Sequence, residues 1–120
     1  MGRANPIALV VEDDDFQQLA LMQLLEESKM DVIQCDSAEA ALRELEKTGG
    51  RVSMLLTDVN LAGKIDGVEL AHFAHDCYPE IHVVVTSGSP LMRSLPDGAT
   101  FMPKPWRPLD VLHEAERSRH

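Results

Sequence analysis

The chain reads as a doubly wound α/β domain on a five-stranded parallel sheet, and two features predict it. Short β-branched or leucine-rich runs alternate with segments of helical spacing along the whole length. Three of those runs, Leu9–Val11, Leu55–Thr57 and Val83–Val85, match strands buried on both faces of a sheet, and they lead directly into acids or hydroxyls. Alternation of this kind implies right-handed crossovers and helices covering both faces.

Each element has a local cause. Ile7–Val11 is a continuous apolar run and forms the first strand. Glu12, Asp13, Asp14 and Asp15 follow it. Asp14 and Asp15 suit the positive end of a helix over Phe16–Leu25, with Phe16, Leu19, Ala20, Gln23 and Leu24 at helical spacing. Asp31–Cys35 is a short second strand. Ser37 offers an N-cap to a helix over Ala38–Lys47, rich in Ala, Glu, Leu and Arg, and Gly49-Gly50 ends it. Val52–Thr57 is the third strand, followed by a loop with Gly63 and Gly67 and a helix over Val68–Asp76 that closes at Tyr78-Pro79. Ile81–Thr86 and Thr100–Met102 are the last strands, and Pro108 fits the first turn of a final helix reaching about Arg117.

With 120 residues and 44% hydrophobic content, residues 1–120 are expected to form one domain around one core. The formal net charge of −9 disfavours direct binding to nucleic acid or to an anionic membrane, because both require a basic face. No apolar stretch approaches the roughly 20 residues of a membrane span, and the start lacks a signal-peptide core, so a cytoplasmic protein is expected. Cys35 and Cys77 lack metal-type spacing and are expected to be reduced, largely buried thiols. His72 and His75 stand one turn apart without a third ligand nearby, and the methionines read as packing residues.

Ligands of an open parallel sheet gather at the carboxyl ends of its strands. There the sequence delivers Glu12 and Asp13 after the first strand, Asp58 after the third, Thr86-Ser87 after the fourth and Lys104-Pro105 after the fifth. In that order the residues resemble the receiver (response-regulator) domain of two-component signalling, in single-domain form, over nearly the whole chain. The resemblance implies a flavodoxin-like, three-layer α/β/α fold. It implies that Asp58 is a nucleophile that becomes an aspartyl phosphate. It implies Mg²⁺ held by Glu12, Asp13, Asp58 and the backbone carbonyl of Asn60, with water completing an oxygen shell. Lys104 would pair with a phosphoryl oxygen, since phosphoryl transfer depends on positioning and charge neutralisation. Thr86 would bond the new phosphoryl group and draw the aromatic ring of Phe101 after it, a two-state switch. The implied donor is a sensor histidine kinase or a histidine phosphotransfer protein, and the implied output is a protein target that the sequence does not identify. A receiver promotes its own phosphorylation and dephosphorylation but is otherwise a signalling domain and not an enzyme.

Two other readings compete. Asp58–Glu69 runs close to an EF-hand calcium loop, with acid first, Asn third, Gly sixth, Asp ninth and Glu twelfth, but Ala62 takes the fifth position and a strand precedes it. Asp13 and Asp15, two apart after the first strand, have the spacing of aspartyl-phosphate phosphatases, without a cap insertion. The chain also departs from the receiver pattern. The loop after Asp58 lacks the usual proline and carries one extra residue. Thr86 and Lys104 are only 18 positions apart, short of the family spacing by about one helical turn. Pro96 forbids ordinary helix continuation and biases Leu95 away from helical geometry, so the family's fourth helix is expected to be shortened or replaced by a loop.

Overall fold

The structure, a computed structural model, describes residues 4–119. Its elements follow as β1 (Ile7–Val11), α1 (Asp15–Glu27), β2 (Asp31–Cys35), α2 (Ala38–Thr48), β3 (Val52–Asp58), α3 (Gly67–Cys77), β4 (His82–Ser87), β5 (Thr100–Pro103) and α4 (Pro108–Arg117). The five strands form one sheet in the order β2-β1-β3-β4-β5, and every pair is parallel. This is the three-layer, flavodoxin-like arrangement expected.

The strand periodicity of two divides the core. Leu9, Val11, Leu55, Val83 and Val85 face α2 and α3, packing with Ala38, Ala41, Leu45, Leu70, Ala71 and Ala74. Their neighbours Ala8, Val10, Met54, Leu56 and Val84 face α1 and α4, packing with Leu21, Leu25, Val111 and Ala115. Trp106 packs at the margin of this second cluster. The spacing read in α1 does not mark its buried stripe. The helix buries Leu21 and Leu25, four residues apart, and turns Phe16 and Leu19 to solvent. Cys35 is buried as expected, which raises its thiol pKa to about 11, whereas Cys77 at the end of α3 is exposed.

Between β4 and β5 the chain forms an irregular strap over residues 88–99 in place of a helix. Pro96 is buried within it, and Leu91, Leu95 and Ala99 cover the α2/α3 side of the core as a helix would have done. Two side chains tie the strap to α3: Arg93 pairs with Asp66, and the His72 ring meets the Ser94 carbonyl oxygen at 2.9 Å.

Candidate functional site

Register brings the carboxyl ends of the strands level. Val11 pairs with Thr57 and with Cys35, Asp58 with Thr86, and Thr86 with Met102. Residues just beyond these pairs must therefore emerge at one end of the sheet. Glu12 is anchored there by its own N–H to the Cys35 carbonyl, 3.1 Å. Asp14 caps α1 by accepting the Gln17 N–H, and its own N–H donates to Glu12 Oε2 at 3.1 Å. The acid run thus divides as expected, with Glu12 turned inward and Asp14 and Asp15 at the helix start.

β3 runs one residue further than its apolar pattern suggested and ends at Asp58, which is buried. The Asn60 N–H donates to Asp58 Oδ1 at 3.2 Å, and the Val59 N–H donates to the Thr86 carbonyl at 3.0 Å. The start of α3 presses on this turn. A Cβ on Gly67 would lie 1.8 Å from the Asp58 carbonyl oxygen, so only glycine fits there.

Carboxylate oxygens of Glu12, Asp13 and Asp58 lie within 4.8 Å of one another. Lys104, directly after β5 and followed by a cis bond to Pro105, places Nζ 2.9 Å from Asp58 Oδ2 and 3.1 Å from Glu12 Oε1. One ammonium thus faces three carboxylates, only two of which it touches. Burial pushes the Glu12 carboxyl above its ordinary range, reinforced by the charge of Asp58 and opposed by hydrogen bonds from the Asp14 N–H and Lys104. Burial alone would lower the Lys104 pKa, but its bonds and charge pairing with Asp58 and Glu12 outweigh that and raise it. The excess negative charge and the all-oxygen donor set fit a hard divalent cation such as Mg²⁺.

Thr86 is fully buried at the same strand ends, and its Oγ1 has no hydrogen-bond partner among the described residues. Buried hydroxyls are normally paired, which makes Thr86 an exception at the strand ends. Phe101 is half-buried on β5, in register with Val85, the residue before Thr86. Asn60 is exposed beside Asp58.

The calcium-loop pattern resolves differently. Asp66 caps α3 and pairs with Arg93, while Glu69 completes a reciprocal capping box by accepting the Asp66 N–H at 3.1 Å. The ninth and twelfth positions are therefore helix-capping groups. Asp15, required by the phosphatase spacing, opens α1 and is absent from the carboxylate group, which uses Glu12 instead.

Sequence reading missed two buried or tethering contacts. His82 Nε2 meets Glu114 Oε1 at 2.8 Å at the opposite end of β4, and Glu39 on α2 accepts the Lys64 N–H at 3.0 Å. Neither has a sequence signature, since the partners lie 32 and 25 residues apart.

Comparison with known proteins agrees with this geometry. The family model for the response regulator receiver domain matches residues 8–115. The response regulator receiver protein CpdR of Brucella abortus (strain 2308) is 28% identical over 114 residues, covering 91% of this chain and 92% of CpdR. The sensor kinase CckA of the same organism is 30% identical over 103 residues, 82% of this chain but only 11% of the kinase. Among solved structures, a response regulator receiver protein from Sinorhizobium medicae WSM419 superposes with a TM-score of 0.85 at 20% identity, covering 95% of this chain and 94% of that one. The five level strand ends, their acids and lysine, and the family match over residues 8–115 lead to one conclusion: this chain belongs to the response regulator receiver domain family, the phosphoacceptor domains of two-component signalling.

Proposed function

We propose that residues 1–120 act as one receiver in which Asp58 is the phosphoacceptor. The observation that carries this reading is Lys104 Nζ, which bonds Asp58 at 2.9 Å and Glu12 at 3.1 Å and so joins the ends of β1, β3 and β5 around one carboxylate. An Asp58 oxygen attacks the phosphorus of a phosphohistidine. The new P–O bond forms as the P–N bond breaks, and the departing imidazole keeps the electron pair and takes a proton from solvent. Lys104 transfers its pairing from the carboxylate to a phosphoryl oxygen, and the unpaired Thr86 hydroxyl donates to another. Glu12, Asp13, Asp58 and the Asn60 carbonyl would hold Mg²⁺, which when bound supplies the positive charge that a dianionic phosphoryl group needs in this acidic pocket. The same charge arrangement supports promotion by the domain of its own phosphorylation and of the later hydrolysis. Movement of Thr86 and Phe101 then transmits the state to a downstream protein.

A sensor histidine kinase or histidine phosphotransfer protein is the proposed donor. Phe16 is 87% exposed and Leu19 49% exposed on α1, and Gln17 of the same helix lines a groove of about 370 Å³ with Lys104, Pro105 and Trp106. Large apolar side chains displayed on the helix that follows the acid pair suit a helical partner that must bring its histidine to Asp58. The acidic charge supports a protein partner over nucleic acid or a membrane surface, and the proposed compartment is the cytoplasm. Among the described residues no helix is long and apolar enough to cross a membrane.

Incubation with Mg²⁺ and acetyl phosphate, followed by intact mass measurement, tests the assignment. The wild type should gain one phosphate, and Asp58→Asn should gain none while keeping its circular dichroism spectrum. Equal labelling of the variant at another residue would remove Asp58 from its role.

A further inference from the structure

The loop between β3 and α3, residues 59–66, carries Asn60 and has to hold the Asp58 end of the pocket in shape. A connection of this length is ordinarily adaptable unless something ties it down. Here the ties come from α2. Ala62 forms an isolated parallel bridge with Ser37, the N-cap of α2. Two residues further on, the Lys64 N–H donates to Glu39 Oε2 at 3.0 Å. Between them Gly63 adopts φ 101°, and a Cβ there would fall 2.7 Å from Glu39 Oε1, so the loop is moulded around that carboxylate. At its far end the loop is fixed again where Arg93 pairs with Asp66.

We propose that Glu39 is a positioning residue for the phosphoryl site, clamping the loop that follows Asp58 so that the Asn60 carbonyl and the Asp58 carboxylate are pre-set for a divalent cation. This rests on the reading of Asp58 and its acidic neighbours as that site. Glu39 lies in the first turn of α2, where free N–H groups and the helix dipole favour a negative charge. Hydrogen bonds from its own N–H and from those of Lys64 and Ile65 hold its carboxyl below the usual range, so it stays ionised and gripping at neutral pH. Asn60 sits between two fixed points, Asp58 and Ala62, and has little freedom while the clamp is closed. Without the clamp, the loop must be ordered each time a cation binds, and that ordering weakens affinity without removing a ligand.

The test titrates the protein with Mn²⁺ as a paramagnetic stand-in for Mg²⁺, reading free ion by electron paramagnetic resonance. Hydrogen exchange of residues 59–66 and acetyl phosphate labelling at saturating Mg²⁺ are measured alongside. Glu39→Ala should bind Mn²⁺ roughly three- to tenfold more weakly, exchange faster at residues 60–64, and still label Asp58 fully at saturating Mg²⁺. Glu39→Gln, which keeps an acceptor for the Lys64 N–H, should restore most of the affinity, a rescue that general destabilisation of α2 does not produce. Wild-type affinity in Glu39→Ala, with normal labelling of the wild type, would overturn the clamp alone. A wild type that neither binds Mn²⁺ nor labels would overturn the site and the clamp with it. Should Glu39→Ala fail to fold, Glu39→Asp, one methylene too short to hold the Lys64 N–H, carries the comparison: weakened binding with faster exchange at residues 60–64 supports the clamp, and unchanged binding overturns it.

Discussion

On the proposed reading, Thr86 is the side chain through which the resting state is set for the phosphorylated one. Its hydroxyl is buried and unpaired, and leaving a buried polar group unsatisfied costs about 1–3 kcal/mol. Valine has the same shape without that group. Thr86→Val should therefore raise the stability of the unphosphorylated protein by about 1 kcal/mol in urea denaturation. It should also lose most of the additional stabilisation that beryllofluoride with Mg²⁺ gives the wild type. A variant less stable than the wild type, with its beryllofluoride response intact, would mean that Thr86 is an ordinary packing residue. Lys104 is the complementary case, since its charge is already satisfied by Asp58 and Glu12 and, on the proposed reading, would be shared with an incoming phosphoryl group. The residue types of this site were legible in the sequence because acids, a hydroxyl and a lysine stand immediately after apolar runs. The unpaired state of Thr86 was not legible, because it depends on what the neighbouring strands leave within reach.

At the scale of elements, Asp66 joins the start of α3 to the strap. Its carboxylate accepts the Glu69 N–H at 3.0 Å and pairs with Arg93. Burial tends to raise its pKa, but these bonds outweigh burial and hold it below the ordinary 3.8. A folded-state value below the unfolded one means that the contribution is fully present above the unfolded pKa and is lost as pH falls through the folded value. Asp66→Ala should cost about 1 kcal/mol at neutral pH, the usual worth of an N-cap. The gap from the wild type should close as pH falls below 3.8, followed by urea midpoints across the acid range. A gap that is constant with pH would assign the loss to packing. The strap itself was anticipated from Pro96 and the short interval to Lys104, whereas its anchoring by Arg93 and His72 was not. The exposure of Phe16 and Leu19 also ran against the helical spacing, because α1 meets the sheet and α4 through Leu21 and Leu25.

For the molecule as a whole, stability and site geometry share β3, the central strand of the sheet. Leu56 is fully buried on its α1/α4 side, two residues before Asp58. Leu56→Ala should destabilise the fold by about 2–5 kcal/mol through lost burial and a cavity. The urea midpoint should fall with little change in slope. The remaining folded protein should still accept phosphate, because Asp58 is fixed by Asn60, Lys104 and the Gly67 contact rather than by Leu56. A folded Leu56→Ala variant that does not label would show that the site depends on the packing beneath it.

Neighbouring residues alone dictate the alternation of elements, the parallel sheet with both faces covered, the acids and lysine at the strand ends, and the failure of a helix around Pro96. Each of these is written in neighbouring residues: apolar runs, helical spacing, caps and a proline without an N–H. Tertiary structure alone decided which distant groups became partners. Glu39 meets Lys64 across 25 residues, Arg93 meets Asp66 across 27, and His82 meets Glu114 across 32. Such pairings depend on strand order, which brings the turns after β2 and β3 together and lays the strap against α3. No local pattern records them, because their partners are neighbours only after the sheet has formed.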